Sequence, residues 1–176
     1  MKKPSRLVKK RYVRERMEKY HNELVSQLLE SPDLIEINLG EIIFKEREFN
    51  PIKWKKYPVD SKPKPAIDLV LFDKISDNNY RCLLIEVTSS YEHELGIGYQ
   101  SAMKGLRIYY NLGKEAMGRL GRNLAYNKNI PMPFYLELEG YVVTKEFGGG
   151  FKAIKPYFWK REKISKIECV AIVPYK

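Results

Sequence analysis

Histidine and cysteine are scarce in this chain, with two of each in 176 residues. His21, His93, Cys82 and Cys169 show none of the short ligand spacings of a structural zinc site. Cys82 falls inside an apolar run, so both thiols are expected to be buried and free. No apolar stretch approaches the roughly 18–20 residues that cross a bilayer. The basic start, Met1-Lys2-Lys3-Pro4-Ser5-Arg6, is not followed by a signal-peptide apolar core. An intracellular, cytoplasmic chain with no membrane partner is therefore expected. There is no internal repeat, and residues 1–14 contain no acid at all.

What is present is positive charge. The formal net charge is +10, in a chain that is 44% hydrophobic and 31% charged, as soluble globular proteins are. Basic residues gather in three places. The first is a basic N-terminal arm over residues 1–14, with Lys2, Lys3, Arg6, Lys9, Lys10, Arg11 and Arg14. The second is Lys53-Trp54-Lys55-Lys56-Tyr57 with Lys62 and Lys64. The third is Lys152, Lys155, Lys160, Arg161, Lys163 and Lys166, threaded with Tyr157, Phe158 and Trp159. Clustered cations draw phosphate backbones, and aromatics can stack on unpaired bases. A nucleic acid is the expected partner, and a solvated basic surface is the plainer alternative.

The length suits one buried core, and residues 15–176 are expected to form a single domain. A helix is expected over about 5–30, where Val13, Met17, Tyr20, Leu24 and Leu28 recur at helical spacing and Ser31-Pro32 ends the run. Extended structure follows over 34–49, with a turn near Asn38-Leu39-Gly40. Pro51, Pro58, Pro63 and Pro65 mark a loop over 50–65. Residues 66–73 and 81–88 read as central strands joined through Asp77-Asn78-Asn79, hence as an antiparallel hairpin. Helices are expected from Tyr99 to about Leu112 and from Lys114 to Tyr126. The last strands are expected at Phe134–Thr144 and Ile167–Pro174, separated by a flexible Gly148-Gly149-Gly150. The fold class is α/β, a central mixed β-sheet flanked by helices.

Each central strand carries one carboxylate in an apolar setting, Ile67-Asp68-Leu69-Val70 and Leu84-Ile85-Glu86-Val87. A lone buried acid is costly unless something pairs with it. Asp68 and Glu86 each lie nine residues from Asp77. A hairpin centred there makes them cross-strand neighbours, with Asp68, Val70 and Phe72 on one face and Glu86 and Thr88 beside them. Two such carboxylates repel unless a proton or a cation joins them. Hard oxygen ligands suit Mg²⁺ or Mn²⁺, which can orient water and stabilise charge developing on phosphorus. The alternative is structural: Asp68 at a strand end, Glu86 on a buried Lys or Arg.

Asp68 followed by Glu86-Val87-Thr88 resembles the core motif of the PD-(D/E)XK nuclease superfamily. The segment from Gly98 through Gln100 to Tyr110 resembles the glutamine-bearing helix of its Holliday-junction-resolvase-like and RecB-like members. The resemblance covers roughly residues 10–145 and rests on the order and spacing of short motifs. It implies a restriction-endonuclease-like core and metal-dependent hydrolysis of DNA phosphodiesters, possible on particular DNA structures, by a homodimer. Asp68, Glu86 and the Val87 carbonyl would be metal ligands, and Gln100 would support them. A first-helix acid would join the site, Glu23 first, with Glu18 or Glu46 behind it. The superfamily lysine is replaced by Thr88, which can only hydrogen-bond. Lys104, one turn after Gln100, is the candidate surrogate. Lys9, Lys10, Arg11, Lys53, Lys55, Lys56, Lys152, Lys155, Lys160 and Arg161 would hold the phosphate backbone. His93 is a lesser candidate. The rival reading is a catalytically inactive, nuclease-fold nucleic-acid-binding protein.

Overall fold

The computed structural model describes residues 6–49, 66–89, 98–111, 113–146, 148–160 and 166–170. Loop 50–65 with Lys53, Lys55 and Lys56, His93 and Arg161 lie outside them, as do the side chains of Lys9, Lys10, Arg11 and Lys160.

Helix α1 (Arg6–Glu30) runs through 25 residues without Gly or Pro, which suits an unbroken helix. The residues 6–14 expected as an arm are its opening turns. Its buried stripe is Leu24, Val25 and Leu28, whereas Val13 and Tyr20 are exposed. The stripe expected from Val13 onward is thus confined to the C-terminal turns. Pro32 then opens a 3₁₀ turn (Pro32–Leu34).

Strand β1 (Glu41–Phe49) pairs antiparallel with β2 (Ile67–Ser76), and β2 with β3 (Asn79–Ser89). The β2–β3 register, Leu69↔Ile85 through Lys74↔Tyr80, is centred on Asp77 as expected. Helices α2 (Gly98–Asn111) and α3 (Gly113–Lys128) carry the chain over to β4 (Phe134–Lys145), parallel to β3. Asn129, at φ 54, caps α3: Ile130 N–H reaches Ala125 O at 2.9 Å, the bond that closes a left-handed helix C-cap.

Two elements have no counterpart in the expected order. They are β5 (Phe151–Ile154) and the single helical turn α4 (Tyr157–Lys160). Gly148–Gly150, expected as a flexible spacer, is a hairpin turn: Glu146 N–H reaches Gly150 O at 2.9 Å and Gly149 takes φ 94. The last strand is β6 (Lys166–Cys169). Both β5 and β6 pair antiparallel with β4, β6 along its first residues and β5 along its last. The result is a mixed α/β fold on a central six-stranded mixed sheet.

Two apolar layers cover the sheet. Val70, Phe72, Cys82, Leu84 and Val142 pack with Ala102, Leu106 and Tyr109 of α2 and Ala125 of α3. Leu69, Leu71, Leu83, Ile85, Val87 and Val143 pack with Leu24, Val25 and Leu28 of α1. A strand covered on both sides needs apolar residues at every position, which is why β2 and β3 read as runs rather than alternations. Phe158 and Trp159 belong to the first layer, packed against Tyr110, with Trp159 Nε1–H donating to Leu138 O at 3.0 Å. They serve the core, which corrects their reading as base-stacking aromatics. Tyr157 alone of the three is exposed. Both cysteines are buried and free, and burial pushes the Cys82 thiol up to about 12.

Candidate acidic site at the head of the hairpin

The paired register of β2 and β3 stops at Leu69↔Ile85. Just beyond it, the Asp68 carboxylate occupies the opening between the strands and accepts the Val87 N–H on Oδ2 at 2.8 Å. Oδ1 lies 3.1 Å from His21 Nε2 of α1. The Glu86 carboxyl shares a further hydrogen bond with Asp68. Asp68 is therefore tied to a side chain from α1, to the main chain of β3 and to a second carboxyl at once.

On the other side of Glu86 stands α2. A Cβ built on Gly105 would lie 2.8 Å from Glu86 Oε1, so the helix approaches as closely as it does because residue 105 has no side chain. Gly105→Ala is expected to separate two readouts. Helix propensity favours Ala by up to about 1 kcal/mol. The carboxyl must nevertheless move, so thermal stability should hold or rise while divalent-cation binding and any cleavage fall. Melting curves and Mn²⁺ titration check both.

The two acids are pushed apart in acidity. Burial opposes ionising Asp68. The hydrogen bonds from His21 and Glu86, the charge of His21 and the Val87 N–H nevertheless hold its pKa below the ordinary value. Burial, then the charge of Asp68 and the hydrogen bond to it, push Glu86 up to about 10. Burial and the Glu86 carboxyl also raise the Tyr109 phenol. Burial and the neighbouring charge thus favour the protonated form of Glu86, while the donors around Asp68 favour its ionised form.

This arrangement predicts a pH effect of definite sign. The folded protein keeps the Glu86 proton after the unfolded chain has lost it above about pH 4.5. Stability from this group is full below that pH and is lost as pH rises towards about 10, with a slope of at most about 1.4 kcal/mol per pH unit. Glu86→Gln donates to Asp68 as the protonated acid does, but does not titrate. Its denaturation midpoint should fall less steeply than wild type between pH 6 and 9 without divalent cations. Parallel pH profiles of the two proteins would reject the assignment.

The other expected site residues are placed differently. Thr88 is buried, and its hydroxyl meets that of Thr144 at 2.9 Å, across the β3–β4 register. Lys104 and Gln100 are exposed on α2, whose sheet-facing residues are Ala102, Gly105, Leu106 and Tyr109. Neither takes part in the hydrogen bonds described at Asp68 or Glu86. Glu23 and Glu46 are exposed, and Glu18 faces Arg14 at 3.4 Å on the surface. The first helix sends His21 to the site instead of an acid. His21 stands three, four and seven residues before Leu24, Val25 and Leu28, in line with the buried stripe, and that alignment was the available signal. Of the basic side chains, Lys152 is exposed, whereas Lys155 lies 3.7 Å from Glu139 and over the Tyr141 ring.

Among the described residues, no group of three or more His, Cys, Asp and Glu side chains is arranged to hold a metal ion. Mg²⁺ asks for less: one or two carboxylates, with water and phosphate oxygens completing the shell. Asp68 and Glu86, side by side, offer that many carboxylates. In an extended strand a residue's N–H and C=O point to the same edge. The Val87 carbonyl therefore faces the β2 side, as its N–H does. The donor set fits a hard divalent cation.

Comparison with protein-family models, curated proteins and solved structures returns no match. No helix among the described residues is long and apolar enough to cross a membrane.

Proposed function

We propose that this chain is a metal-dependent nuclease of PD-(D/E)XK type that hydrolyses DNA phosphodiesters. The observation that carries the reading is the Asp68–Glu86 pair, two carboxyls brought within hydrogen-bonding reach of each other at the head of the hairpin. Buried acids that are purely structural are ordinarily matched by a cation of the chain. Asp73, fully buried and bridged by Arg81, is this protein's own example. Asp68 meets His21 on one oxygen, yet it also has a second acid beside it, which favours a site completed from outside. The order of one helix, three antiparallel strands, two helices and a parallel strand agrees with the core that the sequence resemblance implies. The +10 charge suits a polyanionic substrate.

Asp68, Glu86 and the Val87 carbonyl would hold Mg²⁺ or Mn²⁺, which when bound supplies Lewis-acid polarisation of a phosphate oxygen and a more acidic water. Asp68 is already ionised. Glu86 must release its proton for the cation to enter, so binding should strengthen with pH. The basic residues position the backbone without reading sequence. Lys104, exposed on α2 next to Gly105 in sequence, would be the cation to handle charge at the phosphate.

The rival reading, a nucleic-acid-binding protein without catalysis, draws support from one contact. Thr88 stands where the superfamily lysine would, and its hydroxyl is engaged by Thr144. Labelled branched, single-stranded and duplex DNA, incubated with and without Mg²⁺, separates the two. Mg²⁺-dependent cleavage lost in Asp68→Ala and Glu86→Ala selects the nuclease. Salt-sensitive binding with no cleavage selects the rival.

A further inference from the structure

We infer that His21 is a positioning residue: it fixes the Asp68 carboxylate in the orientation that receives a divalent cation. The inference rests on the reading of Asp68 and Glu86 as a cation site, and it goes beyond the resemblance, which implies a first-helix acid and no histidine.

The geometry is specific. A carboxylate on a strand can turn about its last bond, and a cation site requires that it not do so. Asp68 is held at both oxygens, by Val87 N–H on Oδ2 at 2.8 Å and by His21 Nε2 on Oδ1 at 3.1 Å. The first anchor belongs to the backbone of β3 and cannot change without the sheet changing. The second is a side chain from α1 that meets Asp68 where the β2–β3 pairing stops, and both partners are mostly enclosed, with 24% and 21% of their side-chain surface exposed. With one anchor on each oxygen, the carboxylate is held against rotation while it still meets the Glu86 carboxyl. Outer-shell partners of metal-binding side chains typically contribute ten- to a hundredfold in affinity.

The position of His21 follows from the way α1 docks. Leu24, Val25 and Leu28 seat the helix on Leu69, Leu71, Leu83 and Ile85. Arg47 of β1 adds hydrogen bonds to Ser26 at 2.6 Å and Asn22 at 3.2 Å. Residue 21 is thereby fixed in rotation and in height, one turn before the first buried leucine. Glu23 falls on another face and is exposed.

Mn²⁺ binding to the full chain, followed by the electron paramagnetic resonance of the free ion, tests this without any activity measurement. Wild type is expected to bind Mn²⁺ in competition with Mg²⁺. His21→Leu, which removes the donor, should weaken binding about ten- to a hundredfold. His21→Gln, whose amide can still donate to Oδ1, should stay within about threefold of wild type. Asp68→Asn should bind least. Leucine binding Mn²⁺ as wild type does, or glutamine failing as badly as leucine, would overturn the role of His21 and leave the cation site standing. No Mn²⁺ binding by wild type, or undiminished binding by Asp68→Asn, would overturn the cation site itself. Melting curves on each variant confirm that folded proteins are compared.

Discussion

Asp68→Asn is expected to lower Mg²⁺-dependent DNA cleavage by about 10³-fold or more, while DNA binding in chelator stays within about twofold of wild type. The magnitude follows from what a metal centre contributes to phosphoryl transfer, several kcal/mol of charge stabilisation. About 4 kcal/mol is a thousandfold at 25 °C. Asparagine keeps an oxygen for Val87 N–H, so the head of the hairpin should keep its shape. It removes the negative charge that would make Asp68 a cation ligand and that helps to raise the Glu86 pKa. One charge in a chain of net +10 changes the long-range attraction for a polyanion little. Single-turnover cleavage and salt-dependent binding of the same DNA check the two halves separately. Cleavage unaffected by the substitution would remove Asp68 from any active site.

Arg81→Met is expected to produce the largest loss of stability in the described part of the molecule, about 3–5 kcal/mol. Asp73 has no exposed surface. Arg81 grips both its oxygens, Nε to Oδ1 at 3.2 Å and Nη2 to Oδ2 at 2.6 Å, and Gly40 N–H adds a third bond at 2.8 Å. The guanidinium also donates to Asn38 O at 2.8 Å and lies 3.6 Å from Glu139. Methionine fills similar space but leaves a buried carboxylate without its counter-charge, so the melting temperature should fall by about 10 °C. A second change, Asp73→Leu, should restore most of the loss, because a buried pair replaced as a whole is often neutral. Urea denaturation of the single and double variants measures both effects. A loss below about 1 kcal/mol for Arg81→Met would show that Asp73 is not sustained by this pair.

Much of the fold is legible in the residues. The hairpin register, the helical span of α1, the two crossover helices and β4 all follow from apolar runs, turn residues and helix breakers. These signals are local, and they survive folding because strands covered on both faces must be apolar throughout. The misses share a cause: burial decided by distant parts of the chain. Phe158 and Trp159 sit among lysines in sequence, yet β4 and α2 enclose them. Gly140 makes room for Trp159, where a Cβ would come within 2.7 Å of the indole ring. Asp73 gives no separate signal in the sequence, because its strand already contains a more conspicuous acid. Its partner Arg81 is eight residues away and opposite it only once the hairpin forms. At the candidate site, Asp68 and Glu86 were accessible from hairpin symmetry alone. His21 was not, because its value depends on how far α1 reaches across the sheet.

The unbroken length of α1 has a consequence for reach. Lys10 and His21 lie on one rigid rod, so at 1.5 Å per residue their backbones are about 16 Å apart along its axis. Successive phosphates of one DNA strand rise by about 3.4 Å. On the nuclease reading, the backbone of the opening turns of α1 would stand off from His21 by a length comparable to about five such steps. On that same reading, the helix that carries His21 to Asp68 would also fix how far its basic opening turns stand from the site.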